Sequence, residues 1–159
     1  MKFEIVKKLE EELEKLSREL RVELPKELQK AAAYGDLSEN AEYDAAKQRK
    51  QFVESRISQL QKRISEITSI NLKAIPQGKV GLGSRLLLSD LDSGDEIVYT
   101  FVFPEEVDPE KGKISLASPI GKSLMGKEEG DEVTVVTPKG RRNFEIMELK
   151  TYHDLYPDA

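Results

Sequence analysis

Residues 34–47 read YGDLSENAEYDAAK and lie between two segments with the same apolar rhythm. Before this stretch, apolar side chains at alternating spacings of three and four are Val6, Leu9, Leu13, Leu16 and Leu20. After it, the rhythm continues with Val53, Ile57, Leu60, Ile64 and Ile67. This spacing is typical of helices that pack along one narrow apolar stripe. The quoted stretch is therefore predicted to be the turn of a helical hairpin.

The numbering of the two stripes locates the turn. Facing residues of an antiparallel pair have numbers with a constant sum, and Leu13 with Leu60, like the other predicted seam pairs, adds to 73. This sum centres the turn between Asp36 and Leu37. At 1.5 Å per helical residue, the roughly 30 residues before the turn make an arm about 45 Å long.

Two details of the arm are predicted on the same basis. The sum of 73 pairs Leu28 with Ala45 and Ala32 with Ala41, so the seam should narrow to alanines near the tip. Pro25 lies inside the first helix, where it removes a backbone hydrogen bond and clashes with the preceding turn. We therefore expect a kink at Pro25.

The second half of the chain has a different pattern. After NLKAIPQGKVGLGS (residues 71–84), short apolar runs bounded by Asp, Gly and Pro predict strands of a small sheet. Ser118 and Pro119 are suited to the N-cap and first position of a short helix, and the tail from Thr151 is predicted to be mobile. The predicted fold class is α+β: an antiparallel coiled-coil hairpin at residues 1–75, with its tip at 35–38, followed by an α+β domain at residues 76–159.

Composition limits the possible functions. The chain has 159 residues, a formal net charge of −5 and no cysteine, so disulfides and thiolate chemistry are excluded and general attraction to nucleic acid is weak. No stretch approaches the roughly 20 apolar residues of a membrane span, and the charged N-terminus does not resemble a signal peptide. We expect a cytoplasmic protein that does not contact membranes. His153 is the only histidine, which makes it a poor candidate for a metal site.

The acids of the turn have a structural and a functional interpretation. Asp36 could cap the second helix, with Glu39 completing a capping box, and Gly35 could end the first helix. Carboxylates three residues apart could also bind a hard cation, although Mg²⁺ held by two carboxylates needs further ligands from water or phosphate. A second molecule would then have to supply them.

The motifs GDLSENAEYDAAK and SPIGKSLMGKEEGDEV resemble those of the bacterial Gre transcript-cleavage factors, and the likeness covers nearly the whole chain. The resemblance implies a coiled coil that enters the secondary channel of bacterial RNA polymerase and an FKBP-like C-terminal domain that docks at the channel rim. Asp36 and Glu39 match the tip acids of the family, which help hold the polymerase's second Mg²⁺ and orient the attacking water. The polymerase then cleaves the nascent RNA 3′ end in backtracked complexes.

The resemblance also implies that the factor has no cofactor of its own, no turnover alone, and acts as a monomer. Gly35, Asn40 and Tyr43 belong to the matching tip motif and are expected to support it. Asn40 and Tyr43 could contact the polymerase active centre, while Tyr43 could equally cover the alanine-rich seam.

A group of basic residues follows the tip along both helices. An RNA or channel contact and an ordinary solvated face both explain them. The residues are Lys26, Lys30, Lys47, Arg49 and Lys50.

Two other functions are considered. A Gre-like inhibitor would block the same channel and is distinguished by altered tip acids, whereas Asp36 and Glu39 match the cleavage pattern. A prolyl isomerase or chaperone built on the C-terminal domain would need a deep apolar pocket.

Overall fold

The computed structural model describes residues 3–35 and 40–157. It divides the chain into two compact units, residues 1–70 and residues 71–159. The first contains the long helices and the second contains a five-stranded mixed sheet. The predicted fold class, a helical hairpin followed by an α+β module, is confirmed.

Residues 3–35 and 40–70 of the first unit form three α-helices and one π-helical turn. They are α1 (Glu4–Arg18), the π turn (Glu19–Glu23), α2 (Leu24–Ala32) and α3 (Ala41–Thr68). Two ion pairs show that α3 runs antiparallel to α1 and the π turn. Arg56 pairs with Glu12 and Arg49 with Glu19, so a step of seven residues forward on the first side of the hairpin matches a step of seven residues back on α3. Heptad spacing on both helices keeps such pairs on one side of the seam.

The π turn explains a one-residue slip in the apolar stripe. The Leu24 N–H donates to the Glu19 carbonyl, five residues back, so the turn contains one residue more than a regular helix. One residue, Leu24, separates it from Pro25, which has no N–H to give to the preceding turn. The sequence predicted a kink at Pro25, and the structure has a π turn just before it, which brings Leu24 back onto the buried stripe.

The seam near the tip differs from the predicted one. Ala32, Ala41 and Ala45 are exposed, and the buried alanines are Ala31 and Ala46. The predicted pairing of Ala32 with Ala41 is wrong because the stripe keeps its heptad spacing. Ala31 lies seven residues after the buried Leu24, and Ala46 lies seven before the buried Val53.

The second unit is a curled sheet with short helices. Its strands and α-helices are β1 (Arg85–Asp90), β2 (Glu96–Val102), β3 (Lys113–Ser115), α4 (Pro119–Leu124), β4 (Glu132–Thr137), β5 (Gly140–Lys150) and α5 (Tyr152–Leu155). This unit also contains 3₁₀ turns at Leu72–Ala74, Pro104–Glu106 and Pro109–Lys111. The strand order is β3-β2-β1-β5-β4, with β2 and β3 parallel and the other neighbours antiparallel. Ser118 caps α4 by accepting from the Gly121 N–H, as predicted. The core lies on one face of the sheet, where alternate residues such as Leu86, Leu88, Phe144 and Ile146 are buried.

Residues 151–157 of the C-terminal tail pack against the second unit, so the prediction of a mobile tail is wrong for this described part. Thr151 and Tyr152 are almost fully buried, and Thr151 forms a reciprocal capping box with Asp154. These hydrogen bonds hold the pKa of the Asp154 carboxyl below its usual value. His153 bonds through Nε2 to the Ile75 carbonyl oxygen at 2.8 Å, which ties α5 to the start of this unit.

Across residues 3–35 and 40–157, no helix combines the length and the apolar character that crossing a membrane requires.

Candidate functional site

The two predicted site acids, Asp36 and Glu39, lie outside the described residues. The structure does describe the two chain segments that border them. The first is the end of α2 with the turn up to Gly35, and the second is Asn40 with the beginning of α3. The geometry of these borders determines where the tip sequence starts and ends.

The first border is closed by short-range backbone bonds. Helix α2 ends at Ala32, after which Tyr34 N–H donates to the Ala31 carbonyl and Gly35 N–H donates to the Ala32 carbonyl, at 3.2 and 3.3 Å. These bonds tighten the last turn and satisfy carbonyls that have no partner further along the helix. Gly35 has φ of 101°, a conformation that glycine adopts at little cost. Gly35 is therefore suited to follow the end of the first helix, the place predicted for it from sequence.

The second border is built on Asn40. Helix α3 begins at Ala41, and its N-cap is Asn40, whose Oδ1 accepts from the Tyr43 N–H at 3.0 Å. The structural interpretation of the turn gave this cap to Asp36, which lies outside the described residues, whereas the structure gives it to Asn40. The helix starts later in the chain because Asn40 has an extended backbone and a side chain that reaches its first turn.

Asn40 also crosses the hairpin. Its Nδ2 donates to the Ala31 carbonyl oxygen at 2.5 Å, so one side chain bonds the last turn of α2 and the first turn of α3. Sequence reasoning placed Asn40 in the tip motif without detecting this bond. The available signal was local: an Asn directly before a run of helix formers is a frequent N-cap.

The basic residues do not share one surface. Lys47 and Lys50 line a concavity together with Leu28 and Tyr43. Lys47 Nζ lies 5.6 Å from the centroid of the half-buried Tyr43 ring, within the range of a cation–π contact. One side of the arm near the tip therefore combines an aromatic ring with two ammonium groups.

A second concavity contains Lys30 and Arg49, and Glu27 and Glu42 lie beside them. Arg49 is already paired, because its Nε and Nη2 donate to the two carboxylate oxygens of Glu19 at 2.7 and 3.0 Å. These hydrogen bonds hold the pKa of the Glu19 carboxyl below its usual value and raise the pKa of Arg49.

The same guanidinium lies over the exposed Phe52 ring, 5.2 Å from the ring centroid. The prediction from sequence missed the pairing of Arg49 with Glu19. A sequence signal was present, because the same pairing of glutamate with arginine recurs one heptad away on each helix, at Glu12 and Arg56. Lys26, the last member of the predicted group, is exposed on α2.

The second unit holds a charged pair that the sequence did not reveal. Asp90, almost fully buried at the end of β1, accepts from Arg142 Nη2 at 2.7 Å and from the backbone N–H groups of Asp92 and Ser93. The bond from Arg142, followed by these backbone bonds, holds the Asp90 pKa below its usual value. The Arg142 guanidinium also lies 4.9 Å from the centroid of the Phe144 ring. The pair connects β5 to the loop after β1.

Two further observations concern the alternative functions. Among the described residues, no group of three or more His, Cys, Asp or Glu side chains could hold a metal ion. One concavity of the second unit is lined by Leu91, Glu132, Val133, Thr134 and Asn143, a set without an aromatic side chain. The isomerase considered above would need a deep apolar pocket, and this concavity, with three polar residues in its lining, does not provide one.

Comparison with known proteins identifies both halves of the chain. The family model described as "Transcription elongation factor, N-terminal" matches residues 3–68, and the model described as "Transcription elongation factor, GreA/GreB, C-term" matches residues 75–151.

Individual relatives extend over most of the chain. Transcription elongation factor GreA of Desulfotalea psychrophila is 43% identical over 145 residues, which cover 91% of this chain and 90% of that protein. GreA of Chloroherpeton thalassium is 45% identical over 143 residues, 90% of each chain. Among solved structures, GreA factor homolog 1 (Gfh1) of Thermus thermophilus matches with 33% identity, a TM-score of 0.42, and coverage of 91% of this chain and 94% of its own. This chain belongs to the GreA/GreB family of transcription elongation factors.

Proposed function

We propose that this chain is a transcript-cleavage factor for bacterial RNA polymerase. Its helical arm enters the secondary channel of the polymerase, where Asp36 and Glu39 assist cleavage of the RNA 3′ end in backtracked complexes. The factor acts in the cytoplasm as a monomer and has no turnover without the polymerase.

One observation carries the proposal: the tip sequence lies between two helix ends that belong to an antiparallel arm. Helix α3 has 28 residues, which corresponds to about 42 Å of helix. The Glu19–Arg49 and Glu12–Arg56 pairs connect the two sides of the arm at two places one heptad apart. An arm of this kind can carry its turn into a channel that would exclude a globular domain.

The donor groups of the tip suit a magnesium ion that is shared with another molecule. Asp36 and Glu39 offer carboxylate oxygens, the hard ligands that Mg²⁺ prefers, and Mg²⁺ is usually held by one or two carboxylates together with phosphate and water. Asp36 and Glu39 would hold the ion from one side, while polymerase carboxylates and RNA phosphate hold it from the other. The bound ion would supply an activated water and would neutralise charge on the phosphate.

The basic residues are proposed to contact RNA or the channel wall. Lys47 and Lys50, with the ring of Tyr43, form a surface on which a phosphate and a base can both find a partner. Lys30 and Arg49 lie in the other concavity, where Glu27 and Glu42 offset their charge. Lys26 is exposed on α2.

The proposal is tested with a backtracked elongation complex that carries 3′-labelled RNA. The wild-type protein should release a short labelled 3′ fragment, and Asp36→Asn or Glu39→Gln should slow this release about 10²-fold, the typical effect of removing a group that stabilises charge at the reacting centre. Competition against a labelled wild-type arm should show that both variants still bind the polymerase.

Matched controls are available on the same arm. Asp44 and Glu42 are exposed carboxylates in the first turns of α3, so Asp44→Asn and Glu42→Gln repeat the two charge changes outside the tip. They should retain cleavage within about threefold, since surface substitutions away from a site have small effects. Equal cleavage by all four variants would refute the role of Asp36 and Glu39. Blocked elongation without cleavage by the wild-type protein would identify the inhibitor instead.

A further inference from the structure

Asn40 uses both polar atoms of its side chain inside the arm. Its Oδ1 accepts from the Tyr43 N–H at 3.0 Å, and its Nδ2 donates to the Ala31 carbonyl at 2.5 Å. The side chain is partly buried, so both bonds are shielded from competing water on one side. Each polar atom of the carboxamide therefore has a partner inside the arm.

The two bonds join the end of α2 to the beginning of α3. Ala31 is a buried residue of the last turn of α2, and Tyr43 lies in the first turn of α3. Asp36 and Glu39 occur in the sequence between the two bonded groups. Loss of the Asn40 bond to Ala31 would therefore change the distance between the end of α2 and the beginning of α3, the two helix ends that border the tip sequence.

Few side chains can make both bonds from this position. Aspartate caps a helix as well as asparagine does, but an ionised carboxylate has no donor for the Ala31 carbonyl. Serine also caps a helix, but it is shorter and its hydroxyl does not extend to a second partner across the hairpin. Alanine provides neither bond.

We propose that Asn40 is a positioning residue of the cleavage reaction: it fixes the spacing of the α2 and α3 ends and thereby the placement of Asp36 and Glu39. The inference rests on the function proposed above. It replaces the expectation that Asn40 contacts the polymerase active centre with a role inside the arm.

The kinetic test uses Asn40→Ser, which is neutral and retains the cap, with Asn40→Asp as a second variant. At a saturating concentration of factor, both should lower the cleavage rate at least about tenfold and raise the Mg²⁺ concentration needed for half-maximal cleavage, since groups that orient metal ligands typically have effects of 10–100-fold. Binding to the polymerase should change less than about twofold. A variant that is merely less stable would regain the full rate at saturation, with an unchanged Mg²⁺ requirement.

A second measurement needs no polymerase. The chain has no cysteine, so Ala32→Cys and Ala41→Cys, at two exposed positions beside the bonded residues, accept a pair of spin labels without background labelling. The distance distribution between the labels should be narrow in the otherwise unchanged protein and broader or longer with Asn40→Ser. Helicity by circular dichroism should remain unchanged.

The outcomes separate this inference from the proposed function. Failure of the wild-type protein to stimulate cleavage would overturn the proposed function, whatever the spin labels report. Full stimulation by the wild type, together with a wild-type rate, Mg²⁺ requirement and label distance for Asn40→Ser, would overturn the role of Asn40 alone.

Discussion

Leu60 offers the most direct test of the arm. It lies in the seam with only 1% of its surface exposed, while Leu13 on the first arm is half-buried and Val22 is 45% exposed. Truncation to alanine removes three carbon groups at Leu60 and Leu13 and two at Val22, and the three positions differ in burial. The predicted order of destabilisation is Leu60 first, Leu13 second and Val22 last.

The expected magnitudes follow from the buried carbon atoms. Leu60→Ala removes three carbon groups at about 0.8 kcal/mol each, or about 2.4 kcal/mol. The residual cavity raises this loss to about 3 kcal/mol, within the 2–5 kcal/mol usual for such changes. For a unit of 60–100 residues, each 1 kcal/mol lowers Tm by about 4–8 °C, so the arm should melt about 12–24 °C lower. Leu13→Ala should show about half of this fall, and Val22→Ala should change the free energy of unfolding by less than about 0.5 kcal/mol.

The assay is thermal unfolding followed by circular dichroism at 222 nm. Most of the helical signal comes from the arm, because α4 and α5 have only 6 and 4 residues. Unchanged methyl resonances of Leu88 and Ile146 would show that the second unit retains its fold. Equal Tm values for Leu60→Ala and Val22→Ala would refute the described seam. A larger fall in Tm for Leu13→Ala than for Leu60→Ala would refute the register of the two helices.

Two further predictions concern the π turn and the buried carboxylate. Deleting Val22 together with Pro25→Ala should leave a stable arm. The deletion restores spacings of three and four between the apolar residues of the seam, and the substitution removes a proline that destabilises a regular helix by about 3 kcal/mol. Deletion of the exposed Glu14 should instead rotate the apolar stripe out of the seam and abolish cooperative melting by circular dichroism. The Asp90 pKa is lowered by folding, so its contribution is present above the unfolded value of about 3.9 and is lost as the pH falls toward the folded pKa. Acid titration of unfolding should therefore show a weaker loss of stability below about pH 4 in Asp90→Asn than in the wild type, and an equal loss in both would refute the role of Asp90.

The sequence predicted those features that depend on local periodicity. Buried residues at Val53 and Leu60 follow from helical spacing, and the cap at Ser118 follows from its hydroxyl and the proline after it. The π turn could not be predicted in the same way. Pro25 indicates that the helix is disturbed, but a kink and an extra residue both relieve the missing bond. Packing of Leu24 and Ala31 against α3 favours the solution that returns them to the seam.

The same limit applies to the site. Membership of Asn40 in the tip was evident, yet its bond to Ala31 depends on how closely the two helix ends approach. Similarly, the charge of Arg49 suggested an RNA contact, but its pairing with Glu19 depends on the register across the seam. Such contacts join residues 9 and 30 positions apart, and no local pattern specifies them.

The basic residues near the tip lie in two separate concavities, and their existing contacts indicate which of them is the better candidate for contact with RNA. A phosphate that approaches Arg49 must compete with a bidentate carboxylate pair, and charge-assisted bonds of this geometry are the strong ones. A phosphate that approaches Lys47 displaces only a contact with the Tyr43 ring, which is worth about 0.5–1 kcal/mol at an exposed site. Lys50 lies 4.0 Å from Glu54, at the limit of an ion pair, where solvent screens the attraction. The side of the arm with Tyr43, Lys47 and Lys50 is therefore the better candidate for contact with the RNA 3′ end, while Arg49 holds the two helices in register.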